Sequence, residues 1–290
     1  MKVYSGIDEA GLGPILGPYC ATSISFKSNI SLKEEMEIAQ KKIFYVDDSK
    51  KVYQGKYGLQ RLEKNVLAFY SLYTNNIPKN SLEFTPSLNS SWYKEFPVKL
   101  PICNNPNEIL ESRDRIATFF HQKDVKIIDI KRTAISAQSF NQLIDIWDNK
   151  SIVCQKILDP LLRNAFIYSG NIVIDKQGGR KFYKEYLDDT LQINVKIKSE
   201  EDCCSNYYVD NTQISFSAKA DSTYFEVALA SMFSKYMREI AMISFNSYWK
   251  TKLPNIKETA GYYTDGMRFI KELANNNLIP NNIDSIIRKK

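Results

Sequence analysis

One stretch near the start constrains the chain more than any other. Gly6-Ile7-Asp8-Glu9-Ala10-Gly11-Leu12-Gly13-Pro14, continued by Ile15-Leu16-Gly17-Pro18, sets two adjacent carboxylates where an apolar strand runs into a glycine turn. Val3 to Ile7 reads as a short strand, and the Gly-x-Gly-Pro beyond it cannot extend it, so Asp8 and Glu9 are expected at its end. Successive strand side chains point to opposite faces, so both carboxylates can face one metal only if the backbone turns there. Gly11 and Gly13 permit such a turn, and without a Cβ they let backbone N–H groups approach a phosphate. The stretch points to metal and phosphate chemistry; a strand-to-turn corner with two solvated acids fits the same residues.

With 290 residues the chain can bury a substantial core, and it reads as one domain over 1–290 carrying an insertion. The 43% apolar content is that of a globular protein, and no run approaches a membrane span. Met1-Lys2 leads straight into a strand, so a soluble, cytoplasmic, monomeric protein with no membrane partner is expected. Cys20, Cys103, Cys154, Cys203 and Cys204 are odd in number and lack zinc-site spacing, which favours reduced, structural thiols.

The net charge of +6 permits a polyanionic partner without requiring one. The basic residues are spread along the chain, including Lys50-Lys51, Lys131-Arg132, Arg180-Lys181 and Arg288-Lys289-Lys290, the last reading as a frayed tail. Lys50 and Lys51 share a turn with Asp48 and Ser49. The single histidine, His121, falls in a surface helix, which leaves histidine-based catalysis almost nowhere to reside and points to carboxylate chemistry.

Tyr19 to Phe26 alternates as a second strand paired with the first through the Gly-Pro turn, and Tyr57 to Leu72 has helical spacing. From Thr74 to Pro106 the composition turns to Asn, Ser and Pro, including Pro78, Pro86, Pro97, Pro101 and Pro106, and predicts an insertion or extended loop over 74–106. Helices are expected over 108–122, 139–147 and 151–166, and strands over 125–130 and 171–174, the latter ending in Asp175. Gly178-Gly179 reads as a loop before a helix over 180–187, which Arg180 and Lys181 would start. Ile193 to Lys198 and Gln213 to Ala218 read as a strand pair, and Ser222 to Trp249 as a long helix with a wide apolar stripe opening the helical part at 222–290. The order favours an α/β domain with a mixed sheet flanked by helices and a helical C-terminal region.

The opening stretch resembles that of type 2 ribonuclease H, the ribonuclease HII group, whose Asp-Glu-Ala-Gly-Arg-Gly-Pro is followed by a second Gly-Pro; Leu12 takes the arginine's place. Further blocks follow in order. Asp48-Ser49-Lys50-Lys51 is similar to the family's Asp-Ser-Lys-Lys, and Ile172-Val173-Ile174-Asp175 to the strand delivering its third carboxylate. Ala220-Asp221-Ser222-Thr223-Tyr224, running on to Lys235, is similar to the segment of its fourth. Gly261-Tyr262-Tyr263-Thr264 is similar to its late Gly-Tyr-Gly-Thr. Leu12, Tyr263 and the long spacers mark a divergent branch.

The resemblance implies a ribonuclease H-like fold and metal-dependent cleavage of the RNA strand of RNA–DNA hybrids, or of the phosphodiester 5′ to a ribonucleotide embedded in duplex DNA, leaving a 3′-hydroxyl and a 5′-phosphate. Asp8, Glu9, Asp175 and Asp221 would be the catalytic and metal-binding residues, with Mg²⁺ or Mn²⁺ as cofactor. Hard divalent ions favour such oxygen donors, and two of them about 4 Å apart can serve an in-line displacement at phosphorus. Gly11, Leu12 and Gly13 match the segment that reads the ribose 2′-hydroxyl, and Tyr262 matches a tyrosine that stacks on the sugar; Lys50, Lys51, Arg180 and Lys181 are further candidate contacts to nucleic acid. Asp175 also fits an ordinary turn residue. A Thr223 to Glu226 capping box is expected to cap the long helix and leave Asp221 free. A nuclease of the same fold with a DNA or structured substrate, and a non-cleaving nucleic-acid-binding protein, are the alternatives.

Overall fold

The computed structural model describes residues 1–85, 88 and 90–289; Pro86 and Lys290, singled out above, lie outside the described residues. The strands are β1 (Lys2–Ala10), β2 (Tyr19–Ser28), β3 (Val125–Ile135), β4 (Asn171–Asp175), β5 (Lys196–Glu200), β6 (Cys204–Val209) and β7 (Thr212–Ser217). They form a mixed sheet in the order β3-β2-β1-β4-β7-β6-β5. β1, β4 and β7 run parallel at its centre, and the remaining neighbours are antiparallel.

The helices are α1 (Leu32–Ala39), α2 (Ser49–Val52), α3 (Gly58–Thr74), α4 (Ser81–Phe84), α5 (Ser91–Lys94), α6 (Pro106–Gln122), α7 (Ala137–Trp147), α8 (Lys150–Ile167), α9 (Lys184–Leu191), α10 (Phe225–Lys252) and α11 (Tyr263–Asn275). They cover the sheet from both sides. One core gathers α3, α6 and α10, with Leu62, Phe69, Ile116, Leu229, Phe233 and Tyr236 buried. The other lies under α7, α8 and α9, with Ile7, Tyr19, Phe140, Leu158 and Phe216. Each large apolar side chain so buried contributes about 1.5–3 kcal/mol, and α10, buried along most of its length, carries much of the first core.

α10 crosses β1 at Gly6, where a Cβ would stand 2.2 Å from the Glu226 carbonyl carbon. Only glycine admits that approach. The crossing also explains a departure from the expected helix start: α10 begins at Phe225, its N-cap Tyr224 makes no side-chain cap, and Glu226 is buried against the sheet. The Thr223 to Glu226 capping box therefore does not form.

Other departures have local causes. β1 does not stop at Ile7; its ladder with β2 continues to Ala10 opposite Cys20. The expected pairing of 193–198 with 213–218 is interrupted by β6, whose buried Ser205, Tyr207 and Val209 alternate with half-buried neighbours and which takes both partners. The helix expected from Arg180 begins only at Lys184. Side chains of β6 bond the preceding backbone instead: the Tyr207 hydroxyl accepts the Tyr183 N–H at 2.8 Å and the Ser205 hydroxyl donates to the Lys181 carbonyl at 2.6 Å.

The segment 74–106 holds α4 and α5, and Phe84, Trp92 and Tyr93 are buried in the core beside α10. Arg288 and Lys289, read above as part of a frayed tail, are docked. Ile287 bridges Leu16, the Arg288 N–H donates to the Ile15 carbonyl at 2.8 Å, and Arg288 is 3% exposed. The docking arises because the Arg288 side chain reaches carbonyls of the glycine turn. All five cysteines are free thiols. Among the described residues no helix is long and apolar enough to cross a membrane.

Candidate active site

Ile7 of β1 lies beside Ile174 of β4 in parallel register, so the next residue of each strand, Asp8 and Asp175, reaches the same end of the sheet. Strand alternation sends Asp8 toward α10, where the Ser231 hydroxyl bonds it, and Glu9 toward Tyr19 on the opposite face. The chain does not turn between them; the turn comes at Gly11, whose φ of +97° suits glycine. An Asp175 carboxylate oxygen accepts the Ala220 N–H at 2.7 Å, which fastens the 3₁₀ turn Ala220–Ser222 to the end of β4 and brings Asp221 alongside.

Two further segments close the site. Asp48 caps α2 by accepting the Lys50 N–H at 2.8 Å, and the Ser49 hydroxyl lies 3.0 Å from that of Ser231 on α10, which sets Lys50 over the carboxylates. The Gly261 carbonyl accepts the N–H groups of Ile15 at 2.8 Å and Leu16 at 3.1 Å, which seats Tyr262 beside the glycine turn. The result is a cleft of about 270 Å³ lined by Asp8, Glu9, Gly11, Leu12, Gly13, Lys50, Asp175, Asp221 and Tyr262.

Three candidates lie outside it. Lys51 pairs with Asp47 at 3.1 Å and Lys181 with Asp202 at 2.5 Å, while the Arg180 guanidinium sits over the Tyr183 ring. The cleft also holds residues that the sequence reading did not assign: Ser231, Lys235 and Arg238 of α10. Their i, i+4, i+7 spacing puts three polar side chains on one face of a largely apolar helix, and that signal was available in the sequence.

The carboxylates repel one another in a poorly hydrated place. Burial raises the Asp8 carboxyl well above its usual range, with Asp175 and Glu9 adding to the rise. Glu9 is pushed up to about 7 by burial, opposed by the Tyr19 hydroxyl and then reinforced by Asp175. Asp175 rises to about 6, again from burial, against the Ala220 N–H and with Asp221 adding to it. Asp221 is raised by burial and by Asp48. Lys50 pulls Glu9, Asp175 and Asp221 back down, so its ammonium lies within reach of three of the four.

Such a group of hard oxygen donors fits a divalent cation in its chemistry. One Glu9 carboxylate oxygen is buried without a hydrogen-bond partner, as expected of a donor whose natural partner is a cation. Among the described residues, no three His, Cys, Asp or Glu side chains are disposed to hold one ion as they stand.

The mixed sheet flanked by helices is similar in fold to a solved ribonuclease H2. The chain superposes on ribonuclease H2 from Pyrococcus horikoshii with a TM-score of 0.51 and 15% identity, covering 98% of this chain and 92% of that one. Ribonuclease HII of Archaeoglobus fulgidus, solved in complex with PCNA, gives a TM-score of 0.46 at 15% identity, over 99% of this chain and 94% of that one. Bst ribonuclease HIII in complex with Mn²⁺ gives 0.45 at 14%, over 99% and 66%. The fold assignment rests on the first. No protein-family model and no curated protein matches the chain.

Proposed function

We propose that the protein is a metal-dependent endonuclease of ribonuclease H type, cutting the RNA strand of RNA–DNA hybrids or the phosphodiester 5′ to a ribonucleotide embedded in duplex DNA. The observation that carries this reading is the convergence of Asp8, Glu9, Asp175 and Asp221 with the Gly11–Gly13 turn and Tyr262 in one cleft, from four separate parts of the chain.

Asp8, Glu9, Asp175 and Asp221 would hold two divalent ions, Mg²⁺ or Mn²⁺. When bound, these supply an activated water and charge stabilisation at the leaving oxygen. The protein's own share is placement. Ser231 orients Asp8, Tyr19 orients Glu9, and the Ala220 N–H orients Asp175. Lys50 offers a cation to a substrate phosphate above the acids. The Leu12 and Gly13 N–H groups are donors that need no side chain, so the leucine leaves backbone readout of a ribose 2′-hydroxyl intact. Tyr262, 56% exposed at the rim, offers a ring to the sugar.

The test compares three labelled duplexes in Mg²⁺ and in Mn²⁺: all-DNA, DNA with one ribonucleotide, and an RNA–DNA hybrid. Cutting confined to the ribose-containing strands, with 5′-phosphate products, is the expected result. Equal cutting of all-DNA would replace the ribose requirement with a different substrate, and binding without cutting would reduce the protein to a nucleic-acid binder.

A further inference from the structure

Arg238 and Arg288 are buried cations to which the activity proposed above gives no task. Each is 3% exposed, and among the described residues neither forms an ion pair. Both donate to main-chain carbonyls. Arg288, from the end of the chain, bonds the carbonyls of Gly11 and Pro14. Arg238, from α10, bonds those of Leu16 at 3.2 Å and Ala260 at 2.9 Å. Its Nε and the Nε and Nη1 of Arg288 are left without partners. The turn is built tightly round them: a Cβ on Gly11 would stand 3.0 Å from Arg238 Cδ and Nε.

In a trans peptide the carbonyl and the following N–H point in opposite directions. The Pro14 carbonyl, drawn to Arg288, accordingly sends the Ile15 N–H the other way, onto the Gly261 carbonyl at 2.8 Å. By the same geometry, drawing the Gly11 carbonyl inward turns the Leu12 N–H outward. Leu12 and Gly13 line the cleft, and among the described residues their N–H groups have no protein partner. Arg288 lies near enough to Glu9 to pull its carboxyl down, but neither guanidinium has a carboxylate in hydrogen-bond contact among the described residues, and burying two cations in that way is costly.

We infer that Arg238 and Arg288 are positioning residues that hold the Gly11–Leu16 turn with its Leu12 and Gly13 N–H groups presented to the substrate strand, so that the last residues of the chain take part in substrate recognition. The inference rests on the nuclease reading above and adds a requirement that reading does not contain. Leu12 has no charge to offer, and the positive potential under the turn comes from below, through two distant parts of the sequence.

The experiment measures kcat and KM on the RNA–DNA hybrid, hybrid binding by anisotropy, and thermal melting, for the unsubstituted protein and for Arg288→Met, Arg288→Lys and Lys289→Met. A displacement of about 1 Å in a positioned group can cost about a hundredfold. Arg288→Met is therefore expected to raise KM at least about tenfold with kcat nearly kept. Arg288→Lys, which keeps the charge but loses the planar guanidinium that lies over the Phe140 ring and bonds both carbonyls through one nitrogen, should fall between it and the wild type. Lys289→Met removes only the pairs of that side chain with Asp145 and Asp284 and should match the wild type. If Arg288→Met fails to melt cooperatively, Arg288→Lys decides: a raised KM supports the inference, and a wild-type KM overturns it as a merely structural contact. A folded Arg288→Met with wild-type KM also overturns it, leaving the nuclease reading intact. A wild type that neither cuts nor binds the hybrid removes the nuclease reading, and this inference with it.

Discussion

Glu63 and the acids of the cleft are carboxylates with opposite surroundings. Glu63 of α3 is fully buried and accepts five hydrogen bonds: from the N–H groups of Ile102, Cys103 and Asn104, the Asn104 side-chain amide and the Tyr236 hydroxyl, all at 2.7–3.0 Å. It ties the end of the 74–106 segment to α3 and α10, and nothing is left for a ligand to satisfy. Asp8, Glu9, Asp175 and Asp221 have fewer donors, repel each other, and leave one Glu9 oxygen buried without a partner. A polar network that is complete makes a structure rigid; one left incomplete invites a cation. The difference separates an acid that builds the fold from acids available for chemistry.

The strongest way to break the contrast is to neutralise each kind. Asp8→Asn and Asp175→Asn should each lower hybrid cleavage about a thousandfold, the several kcal/mol that charge stabilisation supplies, without lowering the melting temperature. Mg²⁺ or Mn²⁺ should raise the melting temperature of the wild type and not of these variants, because only a site that binds the folded state stabilises it. A wild-type rate in both variants would remove the site. Glu63→Ala should do the reverse: denaturant unfolding should show a loss of at least about 3 kcal/mol from stranded buried donors, with the remaining folded protein keeping its KM.

Glu226 is an intermediate case that sharpens the comparison. It is buried at the start of α10, and burial raises its carboxyl from 4.5 to about 7. Tyr4, Tyr224 and Lys33 share its cavity. A carboxyl with a raised folded pKa binds its proton more tightly when folded. Its contribution to stability is thus complete below pH 4.5 and is lost as pH rises through 7. Glu226→Gln should leave stability nearly unchanged at pH 4.5 and gain up to about 3 kcal/mol over wild type above pH 8, read from urea unfolding at both. A gain independent of pH would deny the shift. The smallest effect belongs to the lysine pair: Lys50→Met should raise KM several-fold, while Lys51→Met, which breaks an exposed pair with Asp47, should leave both the melting temperature and KM alone.

Much of this was legible in the sequence because it is local. Val3 to Ile7 followed by Gly-x-Gly-Pro marks β1 and its turn, helical spacing marks α3, α6 and α8, and each acid could be placed at the end of an element from its neighbours alone. Local pattern failed where distant side chains compete for backbone. The helix expected at Arg180 lost to hydroxyls on β6, the cap expected at Thr223 lost to the close crossing of Gly6 and Glu226, and Arg288, read as part of a frayed tail, is docked by distant carbonyls.

What the sequence by itself determined is therefore the candidate chemistry: four carboxylates, a lysine and a glycine turn, each near the end of a strand or the start of a helix, with the single histidine, His121, on a distant helix. Tertiary structure alone decided the company they keep. Parallel register set Asp8 level with Asp175, the Ala220 N–H fastened Asp221 beside them, and the Gly261 carbonyl joined the two ends of the chain at Tyr262. Burial then raised the acids and placed Arg238 and Arg288 under the turn, because desolvation and carbonyl partners belong to the packed chain and to no stretch of it read alone.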